Sequence, residues 1–184
     1  MAKQRINMIT LMNTAWARRQ QCSANQYEEY VKNLITHSFV EYERMYKSYC
    51  VDKGIKYEDQ VFYVYQHIFV FLMKCDGEFL QGEYDAYCKY CNWAKIQPLT
   101  VDAVNRVYAN MSVEQIAADI RLLTGLREFI TPQNYESMVQ GFCYFSLLGD
   151  KSFDENEYYI IKCFFEDGYD YVPATWDRFK KEWT

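Results

Sequence analysis

The chain has 184 residues, half of them apolar on a broad count, with 18 Tyr, 12 Phe and a net charge of −5. That length suits one domain, or one domain with an appendage, and the negative balance disfavours general binding to a phosphate backbone. With only 3 Pro and 7 Gly, the chain favours helices joined by short turns over a many-stranded sheet.

The helical period runs along the chain in order. Over residues 5–20, Ile9, Met12 and Trp16 fall on one face. Ser23 caps a helix reaching about Cys50, with Tyr27, Tyr30, Val31, Leu34 and Ile35 facing inward, and Gly54 supplies a left-handed stop. The next helix, over 57–75, carries Val61, Tyr65, Ile68, Leu72 and Cys75 on one stripe and Phe62, Phe69 and Met73 on a second. A helix apolar around that much of its circumference belongs in the centre of the core. A turn at 76–80, a helix to about Lys95 and then Pro98 complete this section. Thr100 opens a short helix to about Asn110. Ser112 and Gln115 have the spacing of a capping box for a helix with Val113, Ile116, Ala117, Ile120 and Leu123 on one side, stopping near Gly125. Thr131 as cap and Pro132 at the first helical position begin another, with Tyr135, Met138, Val139, Phe142 and Cys143 at helical spacing. A turn over 149–154, a helix to about Glu166 and a short helix over 174–183 follow. No two-residue alternation lasts long enough for a sheet. The expectation is an all-α helical bundle, with residues 1–54 as an N-terminal helical extension and residues 55–184 as the principal domain.

Part of this chain is written twice. Residues 68–91 and residues 142–165, offset by 74, match at Phe71 and Phe145, Asp76 and Asp150, Phe79 and Phe153, Glu83 and Glu157, and Tyr84 and Tyr158. Each copy is an apolar run, an Asp, a short polar turn, an aromatic, and a Glu seven residues after the Asp. In each, Asp follows the first helix and Glu lies in the first turn of the second, so both can converge on the mouth of the turn. If the repeats pack about a pseudo-twofold, the two mouths face one another and gather Asp76, Glu83, Asp150 and Glu157. Such a cluster repels itself unless it is solvated, protonated or filled by a cation. Its all-oxygen donors suit a hard ion, Ca²⁺ or Mg²⁺, with Glu78, Asp154 and Glu155 as further oxygen donors.

At these residues the chain resembles the TerB-like family of helical bacterial proteins, associated with tellurite resistance and stress response. The recurring element is an apolar helix ending in Asp-Gly, a small cap residue, and an acidic residue opening the next helix. Residues 72–79 with Glu83 carry it, as do Leu147, Leu148, Gly149, Asp150, Phe153, Asp154 and Glu157 in the second copy. Leu80 stands where a polar cap is expected, and Lys151 replaces the Gly of the second copy. The match spans roughly residues 57–170. It implies a bundle with two helix–turn–helix units and a metal-binding role.

Simpler readings stand beside this one. Asp154 and Glu157 fit a capping box, and a carboxylate in a first helical turn favours the helix dipole. Asp76 before Gly77 is a common turn former, and Phe79 and Phe153 read as plugs over the turns. An EF-hand is excluded: counted from Asp150, the sixth and twelfth positions are Glu155 and Ile161, and counted from Asp76 they are Gln81 and Tyr87. Cys88 and Cys91 form a CxxC with no second ligand pair for zinc and no βαβ setting for redox work. The seven cysteines are scattered through apolar helical stretches and read as reduced thiols of a cytosolic protein. His67 reads as a hydrogen-bonded core or boundary residue. The tyrosines read as packing residues with their hydroxyls at the surface, not as a stacking platform for single strands. No nucleophile elbow, phosphate loop, dinucleotide fingerprint or HExxH is present.

The functional expectation is a cytoplasmic, non-enzymatic protein that binds Ca²⁺ or Mg²⁺, or a cationic partner, through the four carboxylates, as an accessory to stress response. Its partner would be another protein, with no nucleic acid and no membrane insertion, since the longest apolar run, 68–73, is far too short to span a bilayer. Two alternatives remain at this point: an interaction scaffold in which the carboxylates only cap helices, and an enzyme using one of them as a general base.

Overall fold

The computed structural model of this chain describes residues 8–57, 60–75, 80–149 and 155–165. Among them are eight α-helices, one short 3₁₀ segment and no strand: α1 (Met8–Gln21), α2 (Ala24–Lys53), α3 (Gln60–Lys74), α4 (Gln81–Ala94), α5 (Val101–Asn110), α6 (Val113–Leu126), the 3₁₀ turn Arg127–Phe129, α7 (Pro132–Gly149) and α8 (Glu155–Phe165). The all-α bundle is as expected. The segment over 174–183 lies outside the described residues.

Local chemistry explains most helix ends. Ser23 caps α2 reciprocally: its hydroxyl accepts from the Gln26 amide N–H while the Gln26 side chain accepts from the Ser23 N–H. Gly54, at φ 63°, ends α2 in the left-handed conformation as expected, with helical residues continuing to Lys53 and not stopping at about Cys50. Thr100 and Thr131 cap α5 and α7 through their hydroxyls. Ser112 caps α6 by accepting from the Gln115 N–H, but the second half of the expected capping box is not made. The Gln115 amide instead donates to Asp119 at 3.0 Å, a better partner because it carries charge. α6 ends at Leu126, near Gly125 as expected, but Gly125 is not itself a left-handed cap. It lies inside the helix, where a Cβ would come within 3.2 Å of the Tyr49 ring, so its role is close approach.

One buried cluster runs from Leu11 on α1 to Phe165 on α8. The 30-residue α2 lies most extensively along α7, which also receives α1 and α4. The packing therefore runs across residue 54 without a break. Both apolar stripes expected on α3 are buried where they are described, from Tyr65 to Cys75. At the centre, the Phe69 ring lies 4.5 Å from Tyr90, 4.8 Å from Phe145 and 5.1 Å from Phe142, all between ring centres. The α1 stripe is less complete than expected: Met12 is buried, but Trp16 is half exposed. Leu11, Met12 and Ala15 anchor α1 in the core, and cation–ring and hydrogen-bond contacts add to this. The Arg18 guanidinium sits 3.8 Å over the Tyr30 ring and donates from Nε to the Tyr144 hydroxyl, while Arg19 lies over Tyr27.

The tyrosines correct the sequence reading. Tyr27, Tyr42, Tyr87 and Tyr144 are fully enclosed, and the hydroxyls find partners inside. Tyr27 donates to the Tyr144 carbonyl, Tyr84 to that of Leu99 and Tyr135 to that of Phe165. Tyr87 bonds Gln66 and accepts from the Leu99 N–H, which pins the α4–α5 connection to α3. In a chain this rich in Tyr, the rings fill the core and several of the hydroxyls bond main-chain carbonyls of other elements.

Candidate functional site

The two helical hairpins, α3–α4 and α7–α8, meet in the interior. α8 begins at Glu155 and α4 at Gln81, 74 residues apart, the same offset as the repeated sequence. The first turn of α8 lies against the end of α3, where the Asn156 side-chain amide donates to the Cys75 carbonyl at 3.2 Å. That carbonyl is one of the groups a helix leaves without an internal partner at its C-terminus, so the contact ties one elbow to the other.

Glu83, in the first turn of α4, and Glu157, in the first turn of α8, line the same small cavity. Leu72 and Met73 of α3, Ala86 of α4, and Phe145 and Ser146 of α7 complete its wall. The cavity measures about 10 Å³, the room taken by about one water-sized sphere. Oε2 of Glu83 is shut off from solvent, and Glu157 is 8% exposed. Glu157 also acts on its surroundings. Burial first, and then its negative charge, push the Cys143 thiol far above the ordinary cysteine value. Leu80 precedes α4 without a side-chain cap, so Glu83 does not belong to a capping box there.

Of the four carboxylates expected at the site, Glu83 and Glu157 are brought together, while Asp76 and Asp150 lie outside the described residues, as do Glu78 and Asp154. Among the described residues no three His, Cys, Asp or Glu side chains form a group able to hold a metal ion. The oxygen donors of the cavity are two carboxylates and one hydroxyl.

That hydroxyl, Ser146, was not singled out by the sequence reading. It is 6% exposed and has no hydrogen-bond partner among the described residues. A signal for it exists: Ser146 follows Phe142 by four positions and interrupts an otherwise apolar stripe just before the second elbow.

His67 meets the expectation of a bonded boundary residue. Its Nδ1 lies 2.6 Å from Oδ2 of Asp119, itself buried on α6. The pair bridges α3 and α6, and neither residue lines the cavity. Cys88 and Cys91 are free thiols, and burial raises the Cys91 thiol from 9.0 to about 12, which suppresses thiolate chemistry. No helix among the described residues is long and apolar enough to cross a membrane. No protein-family model, curated protein or solved structure matches the chain.

Proposed function

We propose that the chain is a non-enzymatic binding protein that takes up a hard divalent cation, Ca²⁺ or Mg²⁺, between Glu83 and Glu157. The observation that carries this reading is that these two carboxylates, at matching positions of the repeated sequence, share the wall of one small cavity. Two ionised carboxylates on the wall of one small cavity repel each other, and a cation or a proton relieves that repulsion. Asp76 and Asp150, at the ends of the same two elbows in sequence, supply further oxygens in this proposal. The resemblance to TerB-like proteins points the same way and suggests an accessory role in bacterial stress response, acting on a protein partner.

Titration calorimetry of the full chain with CaCl₂ and MgCl₂ tests this. Wild type gives a binding isotherm, and the Glu83→Gln, Glu157→Gln double variant gives none while keeping its helical circular dichroism. A wild-type protein that shows neither heat nor a thermal shift with millimolar-range divalent ions rejects the site in favour of an interaction scaffold whose carboxylates serve the helix ends.

A further inference from the structure

We infer that residues 173–183 are a second cover for α7, and that they compete with α1 for one seat on it. This is independent of the cation reading. The sequence match between the two halves runs on past the elbows. Pro98, Thr100 and Asp102 match Pro173, Thr175 and Asp177 at an offset of 75, one more than the 74 of the elbows. The apolar positions follow: Val101, Val104 and Tyr108 match Trp176, Phe179 and Trp183. Pro, Thr and Asp at this spacing are by themselves an ordinary helix start. Here they stand at the same place in both halves, with the same apolar spacing behind them.

In the first half this segment is the start of α5, and it covers α3. Val104 is fully buried. The Gln66 side-chain amide donates to the Gln97 carbonyl at 3.3 Å. The Lys74 ammonium donates to Asn105 at 3.2 Å and lies 5.7 Å from the centre of the Tyr108 ring. Gln66, Val70 and Lys74, four residues apart, form one stripe of α3. The offset of 74 makes the matching stripe of α7 Gln140, Tyr144 and Leu148. That stripe carries α1, which packs along α7 and donates from Arg18 to the Tyr144 hydroxyl. Elsewhere the halves exchange contacts in matching pairs. Phe71 with Phe164, 6.2 Å between ring centres, answers Phe145 with Tyr90 at 5.6 Å, and α3 against α8 answers α7 against α4. By this correspondence α1 holds the place that belongs to residues 173–183.

The chemistry and the reach both suit that segment. Leu148 stands where the first half has Lys74, and Trp183 where it has Tyr108, so a cation over a ring becomes an apolar contact. Trp176, Phe179 and Trp183 offer three large rings against the Leu11, Met12 and Ala15 that α1 buries. The Phe165 carbonyl, at the end of α8, accepts from the Tyr135 hydroxyl. From Tyr135 to Gln140 is about 8 Å along the helix. The connection over 166–172 can span up to roughly 23 Å, so Pro173 can reach the level of Gln140. When the segment takes the seat, Arg18 leaves Tyr144 and the apolar face of α1 is released.

The experiment is amide hydrogen exchange on the full chain. Ala15 is fully enclosed, so Ala15→Asp should loosen α1 and speed exchange there. Residues 176–183 should then exchange at least about tenfold more slowly than in wild type. That opposite response of the two ends is what a merely destabilised bundle cannot produce. Adding Phe179→Asp should abolish the gain, and so should adding Leu148→Asp, because each removes one side of the contact. Lys181→Ala should leave the gain in place, since Lys181 matches Arg106, which is exposed. If α1 loosens and exchange over 176–183 does not slow, the inference is overturned. A gain that survives Leu148→Asp places the segment on another surface and overturns the seat. A gain that grows with protein concentration assigns the contact to a second copy of the chain and does the same. Should Ala15→Asp unfold the whole bundle, Arg18→Ala removes the Tyr30 and Tyr144 contacts of α1 more gently and is read by the same criteria.

Discussion

Tyr65 sits on α3 with its ring 4.2 Å from that of Tyr42 and 5.2 Å from that of Phe142, centre to centre. Its hydroxyl is buried with no hydrogen-bond partner among the described residues. Deleting that oxygen removes a desolvated polar group and keeps the ring, so Tyr65→Phe should raise stability by about 1 kcal/mol in denaturant melts. A loss of similar size would mean that the hydroxyl is bonded in solution. Residues of this kind mark the limit of sequence reading. The 3.6-residue period identifies Tyr65 as inward-facing, but it cannot say whether the hydroxyl meets a carbonyl, as that of Tyr27 does, or meets nothing. The same limit hid Ser146. Its position on the stripe was readable, but its failure to bond four residues back was not. Glu83 and Glu157 were readable because each stands at a fixed distance from a helix-ending Asp in both copies of the repeat. The burial of Glu157 was not readable, since it depends on α3 and α7 closing over the start of α8.

At the scale of the element, helix ends dominate. Gly54 and Lys95 both adopt the left-handed conformation, at φ 63° and 58°, and both close a helix by donating back to carbonyls of its last turn. The space around Gly54 is open to a methyl group, with nothing within 4 Å. Gly54→Ala therefore tests backbone strain alone and should cost about 1 kcal/mol. Lys95→Gly removes the same strain and should gain up to about 1 kcal/mol. Paired chemical denaturation curves check both, and equal shifts of the same sign would contradict the account. Of these stops, Gly54 was legible from its residue type. Lys95 was not, because Lys carries no local signal for the left-handed region. Gly125 marked the end of α6 to within one residue, but its other role, leaving room for the Tyr49 ring, was not legible. The turn chemistry of α6 was misread for a related reason. The Gln115 side chain can turn back toward the Ser112 N–H or forward toward Asp119, and donating to the buried carboxylate takes it forward.

The whole molecule is held by rings whose hydroxyls are inside. Burial is the first cause raising the phenols of Tyr27, Tyr42, Tyr65, Tyr87, Tyr90 and Tyr135 above their ordinary 10.0, and it lifts the Cys91 thiol from 9.0 to about 12. A raised value means that the folded state keeps protons the unfolded chain gives up. That stabilisation is complete below about pH 9 and is lost as pH rises from there through 12 and beyond. Tyrosinate absorbance and helical circular dichroism should therefore change together in alkali. Ionisation of most tyrosines while the helices persist would contradict this. The bundle itself was legible from composition and period. The way the first two helices cross over to α7 was not, since no local pattern encodes a partner so far along the chain. That crossing has a consequence for how the protein is made. Tyr27 reaches Tyr144, 117 residues away, and ribosomes add about 5–20 residues each second. During synthesis the apolar sides of α1 and α2 therefore wait on the order of ten seconds for the helix that will cover them. In that interval the nascent chain is open to chaperones, and to mispairing with its neighbours on the same message.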